Sequence, residues 1–345
     1  MNINKKTILV TGAGGYIGSE LVGQLLKKGY KVKALDRFFF GIEVLDEYLG
    51  NPNIEIIKED IRYFPKEILK NVYGVIDLAS ISNDPSCDLN PKITYSINFQ
   101  GSTRTAKIAK EMGVERYIFS SSCSVYGQGE NLQLDESSKT SPVSLYAKLK
   151  LKTEKKLLSL ADGNFCLTCQ RNATVYGISK RMRFDLIINI MTLHAFKNKK
   201  IFITGGGKQW RPLIHLQDLI RAFILILEAD KKKINGEIFN TGSNQQNYQV
   251  YEVANLIKKN IPNAIIENVP SDPDKRSYNV NFSKIQKVLG FRPQKDIEDG
   301  VKEIKDALEK RKITDDIKTK TVDYYKYLIE TDKILREVKY KNRIF

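Results

Sequence analysis

Tyr146 and Lys150 stand four residues apart in YAKLK. At that offset two side chains share one face of a helix. A lysine beside a tyrosine favours the phenolate, lowering a pKa that is otherwise about 10. Tyr146 is therefore a candidate general base. Ser122 closes an apolar run, RYIFSSS (Arg116–Ser122), just before CSVYG. Doubly wound sheets place their chemistry at such strand ends. A Tyr–Lys pair alone is ordinary helix surface, so its meaning depends on what lies upstream.

Upstream, Thr11–Gly18 reads TGAGGYIG. Gly12, Gly15 and Gly18 lie between an apolar run (TILVT, Thr7–Thr11) and a helical pattern (Tyr16–Lys28). The first glycine permits a tight turn, the second lets backbone approach a pyrophosphate, and the third lets the helix pack on the sheet. The helix N-terminus then offers free N–H groups and a positive dipole to the phosphates. Gly12, Gly15, Tyr16, Ile17 and Gly18 are thus the expected dinucleotide loop. Asp36 follows 18 residues after Gly18, at the end of KVKALD. A carboxylate there accepts hydrogen bonds from a ribose diol and repels a 2′-phosphate, which favours NAD over NADP. Arg37 is a counter-signal. Asp60 and Ile61 follow the next strand, where an adenine could lie; Asp60 also suits a turn.

These residues need a frame. Strands are expected at Thr7–Thr11, Lys31–Asp36, Ile54–Lys58, Tyr73–Ala79, Arg116–Ser122 and Phe165–Gln170, with helices at Pro91–Met112 and Leu145–Leu160. Apolar strands alternating with helices predict an α/β fold, a Rossmann-like doubly wound parallel sheet. After about Gly177 the rhythm loosens. A smaller α/β substrate lobe is expected, with helices at Arg181–Phe196, Leu219–Leu227, Val250–Lys259 and Ile297–Glu309. The division is 1–177 for the dinucleotide domain, 178–315 for the second lobe, from which some segments can return to the first domain, and 316–345 for a helical extension read as a surface brace.

The chain has 345 residues and a formal charge of +16, from 56 Lys plus Arg against 40 Asp plus Glu. Its 41% hydrophobic content excludes a disordered chain. No apolar run is long enough to span a membrane, and the N-terminal stretch does not read as a signal peptide. The lysines are scattered, so a solvated surface is expected rather than nucleic-acid binding. Cys166 and Cys169 are offset by three in a strand-like run, which sends them to opposite faces and argues against a shared metal. The cysteines Cys87, Cys123, Cys166 and Cys169 fit a reducing cytoplasm.

Several ordered motifs carry a resemblance: TGAGGYIG, LAS at 78–80, NFQGS from Asn98, SSSCSVYG, YAKLK, RPLIHLQDL from Arg211 and DPDKRSY from Asp272. From Thr7 to about Leu308 the chain resembles an extended short-chain dehydrogenase/reductase of the NAD-dependent epimerase/dehydratase family. The resemblance implies that Tyr146 takes a proton from a sugar hydroxyl, that Ser122 holds the same oxygen, and that Lys150 also holds the nicotinamide ribose. It implies a structural Asn98 beneath the site, Leu78, Ala79 and Ser80 along the cofactor, and Arg211 and Arg276 on a nucleotide diphosphate, where guanidinium forks suit phosphate. Ser124 and Thr174 fall at positions facing the substrate, although the family often has Asn where Thr174 stands. The family's frequent proline after that motif is replaced by Ser179 and Lys180.

The same resemblance narrows the reaction. Its dehydratases carry Asp-Glu after the catalytic hydroxyl residue, where this chain has Cys123 and Ser124, and its decarboxylases have a Glu in that turn. What remains is chemistry at one carbinol of a UDP- or GDP-linked sugar. The expected reaction is 4-epimerisation with NAD. The alternatives are a 4-dehydrogenase that releases the ketone, as in the GDP-heptose 4-oxidoreductases the chain also resembles, and a non-catalytic NAD-binding regulator. The family's helical dimer further implies a homodimer, which light scattering checks. His215 is read as shaping the site or as a buried structural residue.

Overall fold

The computed structural model describes residues 6–128, 133–270 and 276–344. Asp272 and Asp274 of the DPDKRSY motif lie outside them.

Seven strands make the large sheet, in the order β10-β6-β5-β4-β1-β2-β3. They are β1 (Thr7–Thr11), β2 (Lys31–Asp36), β3 (Ile54–Lys58), β4 (Val72–Asp77), β5 (Arg116–Ser122), β6 (Cys166–Asn172) and β10 (Ile238–Thr241). Every neighbouring pair is parallel. Residues on adjacent positions of a strand enter different cores, as the two-residue period requires. Ile8, Val10, Ile118 and Cys166 pack on one face with α1 (Gly18–Lys27) and α7 (Leu216–Glu228). Leu9, Tyr117, Phe119 and Cys169 pack on the other with α4 (Ser102–Glu111) and α5 (Leu145–Leu158). Cys166 and Cys169 are thus separated by the sheet itself. The expected doubly wound parallel sheet is the one that forms.

The strand order reverses at β1, which has β2 on one side and β4 on the other. Chains leaving β1 and β4 turn apart there and open a crevice at their C-terminal ends. That crevice is the site.

A second, smaller part holds β7 (Thr174–Tyr176), β9 (Trp210–His215) and β11 (Asn247–Gln249) in one sheet, and β8 (Lys200–Thr204) with β12 (Ile265–Val269) in another. Its own core takes Ile201, Leu213, Val253, Ile257 and Val301, from these strands and from α6 (Ile187–Asn198), α9 (Val250–Asn260) and α11 (Ile297–Glu309). Thus β10, late in the chain, belongs to the large sheet, while β7 pairs with β9.

Two helices differ from expectation. The pattern from Pro91 to Glu111 is continuous but passes through a π-helical turn, Ser96–Gly101, which carries Asn98. The helix expected from Arg181 begins only at Ile187. Residues 181–186 spend their polar groups elsewhere: Phe184 N donates to the Thr319 carbonyl (2.8 Å), and Asn189 Nδ2 donates to the Arg183 carbonyl (2.9 Å). These tertiary bonds replace the helical ladder. The last helix, α12 (Thr321–Val338), ends short of the chain terminus.

Candidate functional site

Gly12 sits at φ +69° and turns the chain off β1. A Cβ there would lie 2.9 Å from Ala79 N, so the position must be glycine. A Cβ on Gly18 would overlap the Gly12 carbonyl oxygen. Gly15 N donates to that same oxygen (3.0 Å) and closes the turn. No side chain caps the N-terminus of α1. Ser19 N donates to the Gly15 carbonyl (3.0 Å), the helix start carries the positive end of the dipole, and Gly12, Gly15, Tyr16, Ile17 and Gly18 all line the cavity. The Tyr16 hydroxyl donates to the Gly177 carbonyl (2.7 Å), which ties the loop to the second part of the molecule.

Asp36 lines the cavity beyond this loop. Its carboxylate accepts from Phe38 N (2.6 Å) and Gly14 N (3.1 Å). Burial pushes its pKa up against these bonds. Arg37, the expected counter-signal, donates to Asp60 (3.1 Å), and so does Arg62 (2.7 and 2.9 Å). Burial pushes Asp60 up, but the two guanidinium groups outweigh it and hold its carboxyl below the ordinary value. Asp60 and Ile61 line the cavity, and Asp60 also clamps its own turn. Leu78, Ala79 and Ser80 form the facing wall. Thr11 Oγ accepts from Leu78 N and Ala79 N (both 3.2 Å) and donates to Asp77 (2.6 Å).

Asn98 is not on the cavity wall. Its side chain accepts from Ile81 N (2.8 Å) and donates to Ile81 O (2.9 Å), so it holds the segment that follows Ser80.

At the other end Ser122, Ser124, Tyr146, Lys150 and Thr174 line the same cavity. Ser122 accepts from Ser124 N (3.1 Å), which fixes its rotamer at the end of β5. Ser144 caps α5 by accepting from Ala147 N (3.2 Å), and the buried pair Arg171–Glu154 (2.8 Å) pins the middle of that helix to β6. Lys150 Nζ donates to the Ser120 carbonyl (2.7 Å) and lies 5.6 Å from the centre of the Tyr146 ring. Burial lowers Lys150 to about 8.

The lowered tyrosine pKa expected from the neighbouring lysine is not what forms. Burial raises Tyr146, with Cys87 and Asp84 adding to the rise, while Arg183 and a hydrogen bond with Ser122 oppose it. Desolvation penalises the phenolate more than its cationic neighbours relieve it.

Arg276 lines the cavity and pairs with Asp84 (2.6 Å). Arg211 is not among the residues lining the cavity. Its guanidinium donates to the Trp210 carbonyl (2.8 Å) and the Arg276 carbonyl (2.5 Å), so it braces the backbone that presents Arg276. His215 is buried, caps α7 through Nδ1 and meets Glu303 through Nε2 (2.8 Å). Cys123 is buried with Sγ on the Arg171 carbonyl (3.3 Å), and burial pushes its thiol up.

Sequence reasoning missed a whole wall. Phe39, Phe40, Asn83, Arg181, Arg183, Tyr278 and Tyr325 also line the cavity. Arg183 pairs with Asp185 (2.7 and 2.9 Å), which also accepts from Asn83 Nδ2 (2.7 Å). A signal existed: in RMRFDL, Arg181, Arg183 and Asp185 alternate with Met182, Phe184 and Leu186. That period of two argues against a helix, and residues 184–186 form a turn and a bend instead.

A profile described as the NAD dependent epimerase/dehydratase family matches residues 8–242. The putative UDP-glucose 4-epimerase of Methanocaldococcus jannaschii is 28% identical over 306 residues, 86% of this chain and 96% of that one. The UDP-glucuronic acid decarboxylase 2 of Arabidopsis thaliana is 27% identical over 305 residues, 85% of this chain and 66% of that one; the chain thus spans about two thirds of its length. The crystal structure of UDP-glucuronic acid 4-epimerase from Bacillus cereus, in complex with UDP-glucuronic acid and NAD, superposes with a TM-score of 0.77 at 25% identity, over 88% of this chain and 99% of that one.

Proposed function

The chain belongs to the NAD-dependent epimerase/dehydratase family, and from that premise we propose that it inverts carbon 4 of a nucleotide-diphosphate sugar by transient oxidation. The cavity fits the cofactor. Gly12 and Gly18 leave a cradle that a Cβ would fill, the uncapped N-terminus of α1 suits the pyrophosphate, and Asp36 suits an unphosphorylated ribose. NAD bound there supplies a cationic nicotinamide that takes hydride from the sugar carbon and gives it back.

The protein's own residues handle the proton. Tyr146 accepts it from the 4-hydroxyl as the C–H pair leaves, and Ser122 holds the same oxygen. Lys150, charged below about 8 and 5.6 Å from the Tyr146 ring centre, opposes the burial that disfavours the phenolate and has donors left for the ribose beyond its bond to Ser120. Tyr146 then returns the proton after the ketone has turned over. Arg183 and Arg276 are the cations available to the sugar diphosphate.

One observation carries the choice of reaction. Among the described residues lining the cavity, the carboxylates are Asp36, Glu59 and Asp60, all at the Asp36 end. The turn after Ser122, Cys123–Tyr126, carries no carboxylate; its polar side chains are buried Cys123, Ser124 and Tyr126. Elimination of water needs an acid beside the serine, and proton exchange at one carbinol does not.

The test is to denature the purified protein and identify the released dinucleotide, then to incubate fresh protein with UDP- and GDP-sugars. Released NAD and a 4-epimer are expected. NADP would reject the Asp36 argument, and a released 4-ketone without epimer would replace epimerisation with 4-dehydrogenation. A wild type that turns over no sugar nucleotide would leave a non-catalytic dinucleotide binder.

A further inference from the structure

The C-terminal helix reads from sequence as a surface brace, yet one of its residues reaches the cavity. Tyr325 lines it beside Asp36, Arg37, Phe39, Phe40 and Arg181. Three contacts bring the helix there. Phe40 packs against the rings of Tyr324 (5.2 Å) and Tyr325 (5.4 Å), and Phe39 meets Tyr325 edge-on (6.2 Å). The Arg181 guanidinium lies over the Phe40 ring (3.6 Å) and donates to Thr321 Oγ (3.0 Å). Just before the helix, Lys318 pairs with Glu43 (2.7 Å).

Two further observations bear on what this corner does. Arg181 is only 5% exposed, and its buried Nε has no hydrogen-bond partner. A buried donor left unpaired is costly, and here it belongs to a side chain on the wall of a ligand cavity. The helix is also held at one end only. Thr321 and Tyr324 are buried, whereas Tyr327, Ile329, Ile334 and Val338 are each more than half exposed. An element packed through its first turns alone opens at low cost.

We propose that the first two turns of α12 are part of the dinucleotide site: Tyr325 and Phe40 wall its Asp36 end, and Thr321 holds Arg181 so that its Nε meets an oxygen of the bound dinucleotide. The inference rests on the NAD reading above. It follows that α12 must lift for the dinucleotide to leave, so the cofactor stays bound through turnover, which suits a reaction that regenerates it.

The test measures cofactor release, not activity. Full-length protein is loaded with labelled NAD and chased with unlabelled NAD. Tyr325→Ala and Thr321→Val release label about tenfold faster than wild type. Ile334→Ala, on the exposed end of the same helix, matches wild type. In wild type, NAD slows hydrogen exchange of the amides of 321–327, a measurement that stands even if a variant fails to fold. Release at the wild-type rate from both variants, or exchange in 321–327 indifferent to NAD, overturns the proposal while leaving the cofactor assignment intact. A wild type that binds no NAD overturns that assignment and this one with it.

Discussion

The cavity wall around Gly12–Gly18 and the wall around Arg181–Arg183 are built from different material. The first is backbone: a turn that admits no Cβ, a helix N-terminus without a side-chain cap, and amides held by Thr11. Its parts lie within a few residues of one another, apart from the Leu78–Ser80 segment. The second is side chain: Arg183 on Asp185, Asn83 on the same carboxylate, Arg276 on Asp84 and Arg181 on Thr321. Its parts come from positions far apart in the chain, 140 residues for Arg181 and Thr321 and more for Arg276 and Asp84. A backbone wall recognises what every dinucleotide shares, the pyrophosphate. A wall of partly buried charged and polar side chains is shaped for one ligand, because each group left unsatisfied carries a desolvation cost.

The largest effect is expected where the two walls meet. Tyr146→Phe removes the proton acceptor and keeps the ring. Turnover falls about a thousandfold, while NAD released on denaturation stays at the wild-type amount. Wild-type turnover in this variant would remove Tyr146 from the mechanism.

A paired substitution tests the division itself. Gly18→Ala drives a methyl into the Gly12 carbonyl, and NAD affinity drops about a hundredfold. Arg183→Gln leaves NAD binding within about twofold and raises KM for the sugar nucleotide about tenfold. Calorimetry with NAD and steady-state kinetics read both. If Arg183→Gln empties the dinucleotide site, the two walls are one.

The smallest effect concerns stability. Burial lowers Lys150 to about 8 from its ordinary 10.5. Between those values the unfolded chain binds the proton that the folded chain has lost, so stability rises with pH across that window. Lys150→Met removes the buried charge. At neutral pH the variant melts no lower than wild type, and any advantage, a few degrees at most, narrows as pH climbs from about 8 toward 10.5. A variant that melts well below wild type at neutral pH would mean that the bond to the Ser120 carbonyl outweighs the desolvation of the ammonium.

Much of the sheet was legible because each strand is a short apolar run and the glycine loop is a local motif. Asp36 and Ser122 were placed by their strands, and Tyr146 and Lys150 by one helical turn. The pKa argument was not legible at the same level. The tyrosine–lysine spacing is a property of the chain, whereas the desolvation that raises Tyr146 is a property of everything packed around it. Arg211 shows the same limit. A guanidinium in the right motif looks like a phosphate ligand, but its neighbours turn it onto the Arg276 carbonyl, one step behind the wall.

The sequence by itself determined the parallel sheet, the dinucleotide loop and the face that joins Tyr146 to Lys150. These follow from hydrophobic period, from glycines where a Cβ cannot fit, and from helical geometry, all of which act over a few residues. Only the tertiary structure decided that Arg183 faces the same cavity as Tyr146, and that a C-terminal helix supplies Tyr325 to the Asp36 end. Those outcomes depend on which distant groups satisfy buried charges and donors, and nearest-neighbour spacing carries no record of that choice.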